Sequence, residues 1–325
     1  MVTRLYAEVR RERGASRLAA QIGNAEVPRR PGTPLNVIVT GASSGIGEAL
    51  AKALARDGHT LYICARRGDQ LERVAAGHPL VHAQVCDVAD ERQVQDFVAW
   101  VKDHTPYVDA VVNCAGWFGA IGPLPTTDSE EWFTVVRVNV FGTYLMTKYA
   151  LPLLGGSERP RIVNFAGGGA FGAFKNYSAY AASKAAIVRL TECLAAELAD
   201  DGIAVNAIAP GFVATEFHRA TLAAGPEKAG ELHFHRTKAI LDGRGVPIDV
   251  PVDCVRFLLS DDANGLTGKT ISANFDPWRS GAFRRYVREI TESELYTMRR
   301  VNIVNLPHGR LRTMLADASA RQERW

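Results

Sequence analysis

The chain has 325 residues, 47% hydrophobic and 22% charged, with a net charge of +3. That balance is ordinary for a globular protein and argues against one that holds nucleic acid by bulk charge. No apolar run reaches the ~18 residues of a membrane span. Five scattered cysteines (Cys64, Cys86, Cys114, Cys193 and Cys254) form no CxxC pair; they argue against a disulfide frame or a zinc site and fit a reduced, cytoplasmic setting.

In chain order, residues 1–34 read as an arm outside the core. Arginine recurs there (Arg4, Arg10, Arg11, Arg13, Arg17, Arg29, Arg30), and Pro28, Pro31 and Pro34 break its end. Glu8, Glu12 and Glu26 argue against a transit leader, which avoids acids. The character changes at Leu35. Leu35 to Thr40 is a short apolar strand, followed by Gly41-Ala-Ser-Ser-Gly-Ile-Gly47 and an amphipathic helix from Glu48 to Asp57. Strand, glycine loop and helix in that order make a phosphate cradle, because glycine lets backbone approach closely and a helix N-terminus offers free N–H groups.

His59 to Cys64 reads as a second strand, running into Ala65-Arg66-Arg67. In a dinucleotide fold an acid at this strand end binds the 2′-hydroxyl of NAD. Here guanidinium groups stand instead and suit a 2′-phosphate, so the cofactor expected is NADP(H), with NAD(H) as the alternative. Arg66 is the first choice for that contact and Arg67 the second. Leu80 to Val85, Val108 to Val112, Ile162 to Phe165, Ile203 to Ile208 and Lys269 to Ala273 complete seven strands. Helices are expected over Glu91 to Asp103, Glu130 to Leu154, Ala181 to about Asp200, and Pro251 to Leu259. This alternation predicts an α/β fold, one doubly wound Rossmann domain with a seven-stranded parallel sheet over 35–273. Ligands then bind at the carboxyl ends of the strands, where the glycine loop, Arg66, Asp87 and Asn113 all fall.

Tyr180 and Lys184 lie four apart at the start of a helix, on one face. An ammonium beside a phenol favours phenolate and lowers the tyrosine pKa from ~10, making a proton donor or acceptor for an alcohol or ketone. Residues 216–250 have little periodicity and read as a lid rich in Gly, His and Lys. His233 and His235 lack a third ligand at motif spacing, so no metal is expected. Residues 274–325 form an arginine-rich extension with Trp278, Tyr286 and Tyr296 interleaved, expected to pack on its own domain or a sister subunit rather than on nucleic acid.

Together, Thr40-Gly-Ala-Ser-Ser-Gly-Ile-Gly47, Cys86-Asp87-Val88, Asn113-Cys-Ala-Gly116, Asn139, Tyr180-Ala-Ala-Ser-Lys184 and Pro210-Gly211…Thr215 resemble the short-chain dehydrogenase/reductase family, over roughly Asn36 to Ala273. The resemblance implies that Gly41, Ser43, Ser44, Gly45, Ile46 and Gly47 hold the cofactor phosphates. Asp87 and Val88 would meet the adenine, and Asn113, Ala115 and Gly116 would line the nucleotide groove. Pro210, Gly211, Val213 and Thr215 would flank the nicotinamide. Tyr180 would be the general acid or base, Lys184 would bind the nicotinamide ribose and lower the tyrosine pKa, and Asn139 would hold a proton-relaying water. A homodimer or homotetramer is also implied.

One position departs from the pattern. Thirteen residues before the tyrosine the family carries a serine that contacts the substrate oxygen, and here stands Gly167. Loss of one such donor costs ~10²–10³ in rate. Tyr177, Asn176, Ser178, a backbone N–H of the glycine run or a water are the replacements to consider. The leading expectation is an NADP(H)-dependent oxidoreductase of a ketone or secondary alcohol, on a small, sugar-like or secondary-metabolite substrate. The alternatives are a redox-neutral epimerase or dehydratase with retained cofactor, and a non-catalytic nucleotide-binding sensor or scaffold.

Overall fold

A computed structural model describes residues 33–299. The arginine-rich arm, apart from its last two residues, and the tail beyond 299 lie outside the described residues. Seven strands form one parallel sheet in the order β3-β2-β1-β4-β5-β6-β7. They are β1 (Asn36–Thr40), β2 (Thr60–Ala65), β3 (Val81–Val85), β4 (Ala110–Asn113), β5 (Arg161–Phe165), β6 (Ala204–Ala209) and β7 (Thr270–Ser272). Each boundary falls within two residues of the run of apolar residues that announces it.

Period-two alternation sends successive strand side chains to opposite faces, and both faces are covered. Val37, Val39, Leu61, Ile63, Val112 and Val163 face one side, packed by α1 (Gly45–Arg56) and α9 (Asp249–Leu259). Ile38, Tyr62, Val111, Ile162 and Val205 face the other. That side is covered by α3 (Glu91–His104), α5 (Gly142–Leu154) and α6 (Ser178–Glu197). Local chemistry fixes the helix starts: the Asp90 carboxylate accepts from the Arg92 and Gln93 N–H groups at the head of α3, and Asp128 accepts from Glu131 N–H at the head of α4 (Ser129–Val136). A short α2 (Gly68–Ala75) completes the crossover to β3.

Two expectations need correction. The long helix read over Glu130 to Leu154 is α4 and α5 joined by a π-turn over Arg137–Phe141. Residues 216–250 are mostly helical: after a 3₁₀ turn at Glu216–His218 come α7 (Arg219–Ala229) and α8 (Glu231–Ala239). Positive φ at Gly225 (78°) and Gly230 (84°) interrupts them, so neither helix is long enough to show a clear apolar period.

Residues 274–299 build into the domain. Trp278, Phe283, Val287 and Ile290, the last two groups from α10 (Gly281–Arg285) and α11 (Val287–Glu292), join the core on the α1/α9 side. The Phe283 ring lies 5.9 Å from Phe257 and 5.7 Å from Tyr296. Truncation of a buried phenylalanine costs about 3–5 kcal/mol. Phe283→Ala should lower stability by that amount in urea unfolding; a loss below about 1 kcal/mol would mean that this segment does not share the core.

Candidate active site

Strand order reverses between β1 and β4, which are parallel neighbours in the sheet. Their carboxyl ends splay apart there and open one cavity of about 760 Å³. The glycine loop forms its floor. Gly41 has φ 69°, and a Cβ on it would stand 2.6 Å from Ala115 Cα; one on Gly47 would stand 2.4 Å from the Gly41 carbonyl oxygen. These two positions admit no side chain, and the β1 and β4 loops can touch, with Ala115 N–H donating to Thr40 Oγ1 at 3.0 Å. Ser43, Ser44, Gly45 and Ile46 follow along the cavity. Their N–H groups have no partner among the described residues, as a seat for an anion at a helix N-terminus requires.

At the outer end of the groove the two arginines are not equivalent. Arg67 folds back over the glycine loop: Nη2 donates to Ser44 Oγ at 2.6 Å and Ser43 Oγ at 3.3 Å, and Nη1 pairs with Glu216 at 3.1 Å. Arg66 also lines the cavity and has no hydrogen-bond partner among the described residues. None of Arg66, Arg67 and Gly68, the three residues directly after β2, is a carboxylate, so this strand end fits a nucleotide with a phosphate on the ribose. Asp87 and Val88 line the same end, with Asp87 Oδ1 accepting from Ala89 N–H at 3.0 Å.

Asn113 does not line the groove. It is 2% exposed, and Nδ2 donates to Asn164 Oδ1 at 2.9 Å and Thr147 Oγ1 at 3.2 Å. Asn164 in turn donates to Thr191 Oγ1 at 2.9 Å. Cα pairing of Asn113 with Asn164 across β4 and β5 puts both amides on the same face of the sheet, where they bond to each other under α5 and α6. Ala115 and Gly116, the next residues, are the ones that reach the groove, as do Pro210, Gly211, Val213 and Thr215 beyond β6.

Tyr180 and Lys184 face the cavity from the first turns of α6. Lys184 is 4% exposed, and its Nζ donates to the Phe165 carbonyl at 2.7 Å, 5.8 Å from the Tyr180 ring centroid. The expected pKa pattern is reversed for the phenol. Burial pushes Tyr180 well above the usual tyrosine range, and the ammonium, committed to a carbonyl, does not offset it. Burial also pushes Lys184 down to about 8. The Tyr180 phenol is therefore protonated at neutral pH.

Asn139 sits in the π-turn, 1% exposed, and does not line the cavity. Its Oδ1 accepts from Trp117 N–H at 2.7 Å; its Nδ2 donates to the Trp117 carbonyl at 3.0 Å and Ser183 Oγ at 2.9 Å. The side chain ties the loop after β4 to α6 one residue before Lys184, a role the extra residue of the π-turn makes geometrically available.

Gly167 lines the cavity, yet three proposed stand-ins for its missing hydroxyl do not. Tyr177 is fully buried and donates to Thr221 Oγ1 at 3.0 Å, with its phenol pushed up to about 12 by burial. Asn176 donates to the Lys228 carbonyl, and Ser178 accepts from Trp132 Nε1. The N–H groups of Gly167, Gly168 and Gly169 have no partner among the described residues.

The wall facing Tyr180 is aromatic. Phe118 lies 4.5 Å from the Tyr180 ring and 4.8 Å from Phe217; Phe217 is 5.8 Å from Tyr180 and Phe174 6.4 Å. His218 closes the group, 7% exposed, its Nδ1 without a hydrogen-bond partner among the described residues and its pKa lowered by burial. His233 turns into the same cluster, 4.6 Å from Phe174, and burial pushes it down to about 4. His235, two residues on, faces outward and pairs with Glu231 at 3.2 Å. From this segment Glu216, Phe217, His218 and Ala220 line the cavity. Phe275, Asp276, Tyr296 and Thr297 add a wall from the segment after β7. Sequence reading missed these; the placement of Trp117-Phe118 directly after Gly116, and of Phe217-His218 two residues after Thr215, was the available signal.

Lys184 supplies a signed test of this burial. Its pKa is below the 10.5 of a free lysine, so between about pH 8 and 10.5 the unfolded chain binds more protons and folding gains as pH rises. The stability difference between wild type and Lys184→Met should therefore move in favour of wild type across that window, read from thermal melts at several pH values. A flat difference would place the ammonium in a solvated site.

The short chain dehydrogenase family model matches residues 35–224. A ketoacyl reductase assigned to granaticin polyketide synthase in Streptomyces violaceoruber is 36% identical over 254 residues, 74% of this chain and 93% of that protein. The crystal structure of levodione reductase superposes with a TM-score of 0.67 at 29% identity, covering 78% of this chain and all of the other. An actinorhodin polyketide ketoreductase variant with NADPH gives 0.66 at 29% identity, covering 75% and 97%. With the glycine loop, the Tyr180–Lys184 pair and the strand order all in place, the chain belongs to the short-chain dehydrogenase/reductase family and is an NAD(P)-dependent oxidoreductase.

Proposed function

We propose that this protein reduces the ketone of an apolar, ring-bearing small molecule with NADPH. The observation that carries the reading is the union, in one cavity, of an anion seat, a buried acid and an aromatic wall. NADPH supplies the hydride when bound. The Ser43–Ile46 N–H groups and Arg66 and Arg67 would hold its phosphates. Tyr180 would give its phenolic proton to the carbonyl oxygen as the C–O π pair moves onto that oxygen. Lys184, an ammonium below about pH 8, then faces the phenolate. The NADPH of the actinorhodin ketoreductase structure and the ketoacyl activity named for the granaticin relative support both halves.

The substrate side supports an uncharged body. Phe118, Phe174 and Phe217 surround Tyr180, and the rim carries Phe171 and Phe275, 57% and 83% exposed. Rings on three sides favour flat apolar ligands by offset and edge contacts.

Tyr180→Phe should lower NADPH-dependent ketone turnover by ~10²–10⁴ while leaving nicotinamide fluorescence titrations unchanged; full turnover would remove the acid role. Arg67→Ala and Arg66→Ala should each weaken NADPH binding about tenfold or more and leave NADH binding within about twofold, the loss of a charge-assisted contact to phosphate. Wild type that prefers NADH would overturn the cofactor assignment.

A further inference from the structure

Gly167 is the position at which this chain departs from its family, and its surroundings say why. A Cβ placed there would stand 2.5 Å from the Tyr180 hydroxyl oxygen, 3.3 Å from Tyr180 Cζ and 3.5 Å from Lys184 Cγ. The backbone does not ask for glycine: Gly167 has φ −173° and ψ 165°, extended values any residue adopts. What glycine provides is room, and the phenolic oxygen fills it. The ring has little freedom to yield, since Phe118 stands edge-on at 4.5 Å and Phe217 and Phe174 close the other sides. Gly168, by contrast, has nothing within 4 Å of a built Cβ, and one on Gly169 would meet Phe174 and Ala181, so the crowding against Tyr180 belongs to position 167.

We propose that Gly167 is a positioning residue: its bare Cα is the seat of the Tyr180 hydroxyl, and a side chain there displaces the acid instead of assisting it. The missing serine is then not a lost donor awaiting replacement. Two arrangements compete for one volume, and this chain has the one in which tyrosine occupies it. The activity consequence rests on the acid role of Tyr180 given above; the packing consequence does not.

A double-mutant cycle tests the packing. Gly167→Ala should lower the melting temperature in wild type by several degrees and by clearly less in the Tyr180→Phe background, where the clashing oxygen is gone. If Gly167→Ala fails to fold and Gly167→Ala/Tyr180→Phe folds, the coupling is established in its strongest form. Equal losses in both backgrounds would overturn the proposal. For activity, Gly167→Ser should lower ketone turnover about tenfold or more and be no better than Gly167→Ala, with NADPH binding retained. In Gly167→Ala the basic limb of the kcat profile should move to lower pH, because an oxygen pushed off its seat toward the cavity loses part of the burial that raises its pKa. A Gly167→Ser enzyme faster than wild type would overturn the proposal while leaving the reductase reading intact. Wild type and Tyr180→Phe turning over equally would remove the acid role on which the activity consequence rests and leave the melting cycle to decide the packing.

Discussion

One ammonium and one phenol are taken out of water on consecutive turns of the same helix, and the cavity is built around that cost. A buried lysine is tolerated where its N–H groups find acceptors. Here the acceptor is the Phe165 carbonyl at the end of β5, 2.7 Å from Nζ. That bond fixes where α6 meets the sheet. Ser183, beside Lys184 in α6, is in turn held by Asn139 at 2.9 Å. Loop, π-turn, helix and strand end thus converge on two side chains. A neutral phenol fits this surrounding better than a phenolate does.

The parts of this arrangement legible in the sequence were those with a local signature. The glycine spacing announced the turn between β1 and α1 because only a side-chain-free residue fits at Gly41 and Gly47. The strands were legible as short β-branched runs, because a parallel sheet covered on both faces has no polar side to interrupt them. The parts that escaped were set by neighbours distant in the chain. Asn113 ends a strand like any groove residue, and only its pairing with Asn164, 51 residues away, takes it inside. The Tyr180–Lys184 spacing suggested a lowered phenol pKa because it reports proximity; it carries no information about desolvation, which acts more strongly here. The aromatic wall joins residues 118, 174, 180 and 217, and no window of sequence contains it.

Position 167 shows the same limit from the other side. By alignment alone, a glycine in place of serine reads as a subtraction. In three dimensions it is an exchange of occupants between one strand end and one helix turn, and its meaning depends on how far the tyrosine oxygen reaches.

The wall built from residues 275–297 has a consequence for how the protein comes into being. Synthesis is vectorial, and domains fold as their sequence emerges. The anion seat between Gly41 and Gly47 and the acid at Tyr180 are made early, but β7 pairs with β6 and Tyr296 accepts the Thr270 N–H only after nearly the whole described chain exists. Phe283 must dock on Phe257 at about the same stage. A nascent chain halted near residue 224, where the family match ends, would present the nucleotide seat with its far side open to water. The cavity is thus closed late, by a segment that lies beyond the family-model match.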